Sequence, residues 1–400
     1  MRKTGTKQMR KKKSGFSHQV FSKHAERGYT LIEILIGSVI MLLVVLATLS
    51  LYVSSNKLSV DQQQFASLQH DVRSAMFFIS RDIKSIGAGV SQRFAAYFIQ
   101  GVNNDNNQSS YNYQTDRITF LGNSDPLRLA VQNYVPGTGT VTLEPNELSL
   151  YPYTAGVYPA NPLGYVNRAI LILPNPESNT TNGELGQITA VDFATGTITF
   201  NTINETLPNG LAPGGASADY NGGTIHFIEL KTYWLDMDGN YPGLTAGSNG
   251  YLGLPGVVYV SQWNPVSSAY EHLALALNCE DLQFQYHGDM DGDQHIDDNN
   301  GDTLISSLDF INWGDVKYDF TNPTVLSGIR FVRIMILGRT ENPYASVAGT
   351  PSNEVVYIYT KPAIADSPEG AQTDYHRRFL LESTCNIRNM SLNVYNTGTI

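Results

Sequence analysis

Hydrophobic and polar positions fall into three regimes along the chain. From Ile34 through Val53 no charged residue interrupts the apolar run. With Tyr29 to Ile32 added, it exceeds the ~20 residues that a helix needs to span a bilayer. After Val53 the chain turns polar but keeps an apolar stripe at Leu58, Phe65, Leu68, Val72, Met76, Ile79, Ile83 and Ile86. Steps of three, four and seven place these on one helical face. No proline occurs before Pro126, and Gly87 followed by Gly89 is a suitable stop, so one helix is predicted from Tyr29 to Ile86.

From about Ser91 the period changes to two. Short β-branched or aromatic runs separated by Gly, Asn and Pro predict strands. They lie at 117–121, 140–143, 147–151, 168–173, 187–191 with 197–200, 223–235, 257–260, 282–286, 329–337, 355–359 and 378–386. Segments 101–115 and 201–223, rich in Asn, Gly and Tyr or Ala, read as loops. The fold class expected is α+β: a long N-terminal helix with a large, mainly antiparallel β head. The chain then divides into a basic leader (1–28), a membrane half of the helix (29–56), an amphipathic half (57–87) and the β-rich head (88–400).

Charge sharpens that division. The chain has 26 basic and 36 acidic residues, and nine of the former but only one of the latter precede Tyr29. Such a bias holds an N-terminus in the cytoplasm and sends the head across the membrane. The chain beyond Gly28 is strongly acidic and repels nucleic acid, so no direct nucleic-acid partner is expected. Glu33 lies near the start of the apolar run, where a carboxylate costs roughly 2.5–3.5 kcal/mol on insertion scales and calls for a partner or a task. The two cysteines, Cys279 and Cys385, lie in strand-like segments outside the membrane, as a disulfide pair or as two buried thiols. No neighbouring Cys or His gives them zinc-site spacing.

A secretory signal ends its apolar core in a small-residue cleavage site. Here the order is reversed: Arg27-Gly28 precedes the apolar run, so cutting there leaves the helix on the mature chain. The stretch ERGYTLIEILIG, residues 26 to 37, resembles the prepilin leader of type IV pilins and type II secretion pseudopilins. The resemblance implies cleavage between Gly28 and Tyr29 by a prepilin peptidase and N-methylation of Tyr29. It also implies pairing of Glu33 with the amino terminus of a neighbouring subunit, and Tyr29 stands where Phe is commoner. SLQHDVRSAMFFISRDIKSIGAG, EDLQFQYHGDMDGD, IRFVRIMILGRT and RRFLLESTCNIRN are further similar to PilW-type minor pilins, which in turn resemble J-type pseudopilins.

Asp289, Asp291, Asp293 and Asp297 stand at positions one, three, five and nine of an acidic stretch, the oxygen-ligand spacing of a calcium loop, with His295 at the backbone-carbonyl position seven. Gly292 lies at the fourth position rather than the sixth, and Asn300 occupies the twelfth in place of Glu. The alternative is an acidic solvated turn, as at Asp236-Met-Asp238-Gly-Asn240. No nucleophile elbow, phosphate loop or HExxH motif is present, so an enzyme is not expected.

The resemblance implies a minor pilin at or near a filament tip that helps initiate assembly. Its partners would be other minor and major pilins, the prepilin peptidase, the inner-membrane assembly platform and membrane lipid. Before assembly the head would be periplasmic; afterwards the chain would belong to a surface pilus. The alternatives are a J-type pseudopilin of type II secretion and a membrane-tethered, calcium-dependent adhesin that never polymerises.

Overall fold

The computed structural model describes residues 29–87, 98–103, 115–135, 137–145, 165–175, 177, 183–202, 220–241, 243–264, 267, 269–302, 306, 308–341, 359–367, 373–374 and 376–387. Helix α1 is Leu31–Ile83. The chain divides into two compact units, Met1–Ser59 and Val60–Ile400.

In the first unit the described residues are almost wholly helical, and the side chains from Leu31 to Val53 are exposed. This helix is long and apolar enough to cross a membrane. Two of its hydroxyls are satisfied within the helix: Ser38 Oγ donates to Leu35 O and Thr48 Oγ1 to Val44 O, both at 2.8 Å. A hydroxyl bonded back to the preceding turn presents no free donor to hydrocarbon. Leu58, expected on the buried stripe, is half exposed.

The second unit is built on antiparallel sheets. The larger sheet takes β1 (Ile99–Val102), β2 (Arg117–Val135), β3 (Thr140–Leu143), β4 (Ala169–Leu173), β5 (Glu184–Asp192), β6 (Thr197–Thr202), β7 (Thr224–Asp236), β8 (Val257–Asn264) and β9 (Ala269–Ala276). Their order is β1-β2-β3-β6-β5-β4-β7-β8-β9, with β2 also paired to β7. β10 (Cys279–Gly288) and β11 (Ile311–Asn312) come next, then the short helix α2 (Pro323–Gly328) and β12 (Ile329–Arg339). β13 (Tyr359–Thr360) and β14 (Thr373–Asp374) form a two-stranded pair before β15 (Arg378–Asn386). The four-stranded sheet runs β11-β10-β12-β15.

Period two explains how the larger sheet is filled on both sides. In β4, Leu171 and Leu173 join the core that contains the helix stripe, whereas Ile170 and Ile172 join a second core with Leu129, Val141, Ile198 and Phe227. The helix contributes Leu68, Val72, Met76, Ile79 and Ile83, all at most 6% exposed, and Phe65 packs at the margin. Burying each such side chain is worth about 1.5–3 kcal/mol. Gly338 of β12 lets the helix close on the four-stranded sheet: a Cβ there would lie 2.6 Å from Leu68 Cδ1 and 2.9 Å from Val72 Cγ2. The helix tightens after Ile83, with Ser85 N bonded to Asp82 O and Ile86 N to Ile83 O, and the chain turns away at Gly87 (φ 67°).

One acid lies inside this junction. Asp82, 7% exposed, accepts from Lys231 Nζ at 3.0 Å and Tyr233 Oη at 2.8 Å, both on β7, and from Arg81 Nε at 3.0 Å. The basic residues of the later strands are also engaged. Arg333 pairs with Glu382 at 2.7 Å, Arg378 with Glu280 and Asp374, and Arg377 covers the Phe65 ring at 4.7 Å. Arg330 donates to the carbonyls of Ser327 and Ile329.

Three expectations are revised. β10 is buried at every position rather than alternating, because α1 side chains cover one face while Lys361 reaches Asp281 at 2.8 Å and Ile364 joins Met335 and Leu337 on the other. β1 and β9 are strands that the sequence pattern does not predict; β9, AYEHLALA, has no β-branched residue and is a strand through its pairing with β8. The disulfide is excluded: both cysteines are free and buried. Cys279 pairs across to Gly338 and Cys385 to Val332, positions about 20 Å apart along β12, whereas a disulfide needs Cα atoms within roughly 7 Å. Strand 147–151, residues 355–358 and most of loops 101–115 and 201–223 lie outside the described residues.

Candidate functional sites

The first site is the start of α1. Thr30 and Glu33 form a reciprocal cap: Thr30 N and Oγ1 donate to Glu33 Oε2 at 2.9 and 3.0 Å, and Glu33 N donates to Thr30 Oγ1 at 3.3 Å. This is the S/T-x-x-E capping box, which satisfies orphan donors at a helix start and places a carboxylate at the positive end of the dipole. The T-x-x-E spacing is visible in the sequence, where the charge of Glu33 is the stronger signal and hides its capping role. In this chain the carboxylate therefore has a local partner three residues away. Tyr29 is 83% exposed at the mouth of the helix. Gly28 lies outside the described residues.

The second site is the acidic loop that comes after β10. It is pinched at its base: Asp289 N donates to Gly328 O, Asp297 N to Gly288 O, and Met290 N to Asp297 Oδ2 at 2.7 Å. Three side-chain-to-backbone bonds, the last two of them Asx turns, then curl the loop. Gly292 N donates to Asp289 Oδ1, Asp293 N to Asp291 Oδ1 and His295 N to Asp293 Oδ1, at 3.0, 3.0 and 2.8 Å. Oxygens of Asp289, Asp291 and Asp293 lie within 4.8 Å of one another, with Asp289 buried and the other two exposed.

Asp297 and His295 stand outside this trio. Asp297 is buried at the base, where burial first, and the Asp291 and Asp289 charges with it, push its carboxyl upward despite the Met290 and Tyr318 hydrogen bonds. The His295 ring is exposed, with Nδ1 3.1 Å from Asp293 O. Behind the loop Asp309, fully buried, fastens the next turn. Although desolvation opposes its charge, the backbone N–H groups of Ser306, Asn300 and Asn299 hold its carboxyl below the usual range.

Each of the three clustered carboxylates uses one oxygen on a backbone N–H, leaving its second oxygen to act as a ligand. An all-oxygen, carboxylate-rich donor set suits a hard cation of the calcium type, which takes six to eight oxygens at roughly 2.3–2.6 Å.

The comparisons with known proteins bear on the first site. The prokaryotic N-terminal methylation motif matches residues 23–49, which include Gly28, Tyr29 and Glu33. A type IV-like pilin from Thermus thermophilus is 11% identical, with 58% of this chain and 90% of that chain covered and a TM-score of 0.20, a likeness too low to support an argument about the head. No curated protein matches the chain. The motif and the apolar helix fit a membrane-anchored protein with a prepilin-type N-terminus.

Proposed function

We propose that this chain is a minor pilin of the PilW type, cut between Gly28 and Tyr29, methylated on Tyr29 and inserted at or near the tip of a type IV pilus. The observation that carries the reading is the methylation motif seated at the start of an exposed apolar helix. After cleavage Tyr29 carries an α-amino group that titrates near ~7.7–8 and is cationic at neutral pH. In hydrocarbon that cation and the Glu33 carboxylate of an adjacent subunit attract with little screening. The role is structural rather than catalytic. Before assembly the basic leader faces the cytoplasm and the head the periplasm. A large head suits a tip, where it has no lateral neighbours to crowd, better than a repeating shaft.

The test is Gly28→Ala in the native cell. The expected result is retention of the leader by mass spectrometry and absence of the chain from sheared filaments; a mature N-terminus other than Tyr29 in the unaltered protein overturns the reading. Presence of the unaltered chain in a secretion pseudopilus instead of a pilus would select the J-type alternative. An uncut leader would select a tethered adhesin.

Asp289, Asp291 and Asp293 would hold a structural calcium ion in the same protein, with His295 lending its carbonyl and Asp297 bracing the loop base. A cation there offsets the repulsion of three clustered carboxylates. Calcium should raise Tm relative to chelator, by the equivalent of about 2.7 kcal/mol at a hundredfold excess over Kd, and Asp291→Asn should abolish the difference. Equal Tm values with calcium and with chelator overturn it.

A further inference from the structure

Across five strands of the larger sheet, one polar residue succeeds another in register. Gln100 pairs with Thr119, Thr119 with Thr232, Thr232 with Ser261 and Ser261 with His272. Side chains directly opposite in neighbouring strands share a face. This row is on the face away from the helix-bearing core, which takes Ile118, Phe120 and Tyr233 from the intervening positions. All five line a cleft of about 480 Å³.

The row is pre-organised. Thr119 and Thr232 hydroxyls bond each other at 3.0 Å. The indole of Trp234 can only donate, and it donates to Ser261 Oγ at 2.6 Å; that oxygen lies 2.7 Å from His272 Nδ1. Burial holds the His272 imidazole toward its neutral form, in which one ring nitrogen accepts and the other donates.

Aromatic rings bound the same cleft. Trp234 is wedged between Tyr241 (centroids 4.0 Å) and Tyr259 (4.8 Å), so it forms wall rather than platform. Tyr270, half-buried and edge-on to Trp263 at 5.2 Å, and the half-buried Tyr241 are the rings at hand for stacking. Arg117 closes one side and donates to the Tyr241 hydroxyl.

We propose that this cleft binds a saccharide of one or two hexose units. A sugar ring offers hydroxyls that both donate and accept, matched by the Thr119 and Thr232 hydroxyls, the Gln100 amide and the His272 imidazole, which the buried Ser261 holds in place, and an apolar C–H face that suits a tyrosine ring. The volume lies in the lower half of the roughly 300–1,000 Å³ typical of small-molecule sites, too small for a long polymer segment in full contact. Among the described lining residues no helix N-terminus supplies a phosphate cradle, and the acidic net charge of the chain, −10, opposes polyanions. The inference rests on the sheet register and does not depend on assembly into a pilus.

The experiment uses the full-length protein in a detergent without a sugar headgroup. Glucose, galactose, N-acetylglucosamine, glucuronate and their disaccharides are titrated by calorimetry and tryptophan emission, with adenosine monophosphate as the competing class. Saturable binding of at least one sugar is expected, weakened about tenfold by Tyr270→Leu, which keeps apolar bulk against the core that Tyr270 borders, and by Thr232→Val, with the folded state of each variant checked by its Tm. A preference for glucuronate over neutral sugars would show an acidic glycan as the source, and the reverse a neutral one. Absence of saturation by every sugar, binding untouched by both variants, or saturation by the nucleotide alone would each overturn the proposal.

Discussion

Asp82 of α1 receives the Lys231 ammonium of β7 at 3.0 Å, in a junction where both side chains are at most 15% exposed. Removing one member of a buried pair leaves the other charged and unsolvated. Lys231→Met should therefore destabilise the head by about 3 kcal/mol, and Asp82→Leu with Lys231→Met should recover part of that loss in a denaturant melt.

The same carboxylate makes acid stability a readout. Burial opposes its charge, but Lys231, Tyr233 and Arg81 together hold Asp82 below the ordinary carboxylate range. A depressed folded value means its contribution is complete above the unfolded pKa near ~3.9 and is lost as pH falls through the lower folded value. Tm measured from pH 7 downward should drop more steeply below about pH 4 in the unaltered protein than in Asp82→Asn, which begins less stable but lacks this titration.

Gly338→Ala tests the helix-to-sheet approach. The added carbon meets the side chains of Leu68 and Val72, both essentially buried, so these must repack within a filled core. The expected cost is about 1–3 kcal/mol, and combined with Leu68→Ala the loss should be smaller than the sum of the single effects.

Glu33→Gln separates the two roles of the first site. Glutamine can still close the capping box, so the helix start and leader cleavage should survive. The negative charge is gone, and recovery of the variant in sheared filaments should fall well below wild type, as it should for Glu33→Ala. Normal incorporation of Glu33→Gln would assign Glu33 to capping alone.

The cysteines give a direct chemical count. Burial first, with the Asp71 charge adding to it, pushes the Cys279 thiol up to about 12, and Cys385 is fully buried. Native protein should resist a thiol reagent, and unfolded protein should titrate both thiols without reductant. A Tm that falls on adding reductant would restore the disulfide.

Elements with strong local signals were legible in the sequence. Thr140–Leu143 and Arg378–Asn386 are strands at the expected limits, and the stripe from Leu68 to Ile86 is buried as its spacing required. β9 was not legible, because alanine, leucine and glutamate favour helices and only the pairing of Ser261 with His272 and its neighbours makes the segment extended. Register was the missing quantity elsewhere too. It separates Cys279 from Cys385 and aligns Gln100, Thr119, Thr232, Ser261 and His272, residues that lie up to 172 positions apart. The acidic loop was half legible: alternation brought Asp289, Asp291 and Asp293 together, while the turn that takes Asp297 to Met290 N could not be read from spacing.

Ser38 and Thr48 return their protons to carbonyls within their own helix. Between Ile34 and Leu49 the helix consequently makes no polar demand on its surroundings: acyl tails and the flank of another apolar helix are interchangeable hosts for it. Moving between them exchanges one set of dispersion contacts for another, so any directional preference must come from the charged threshold at its outermost turn.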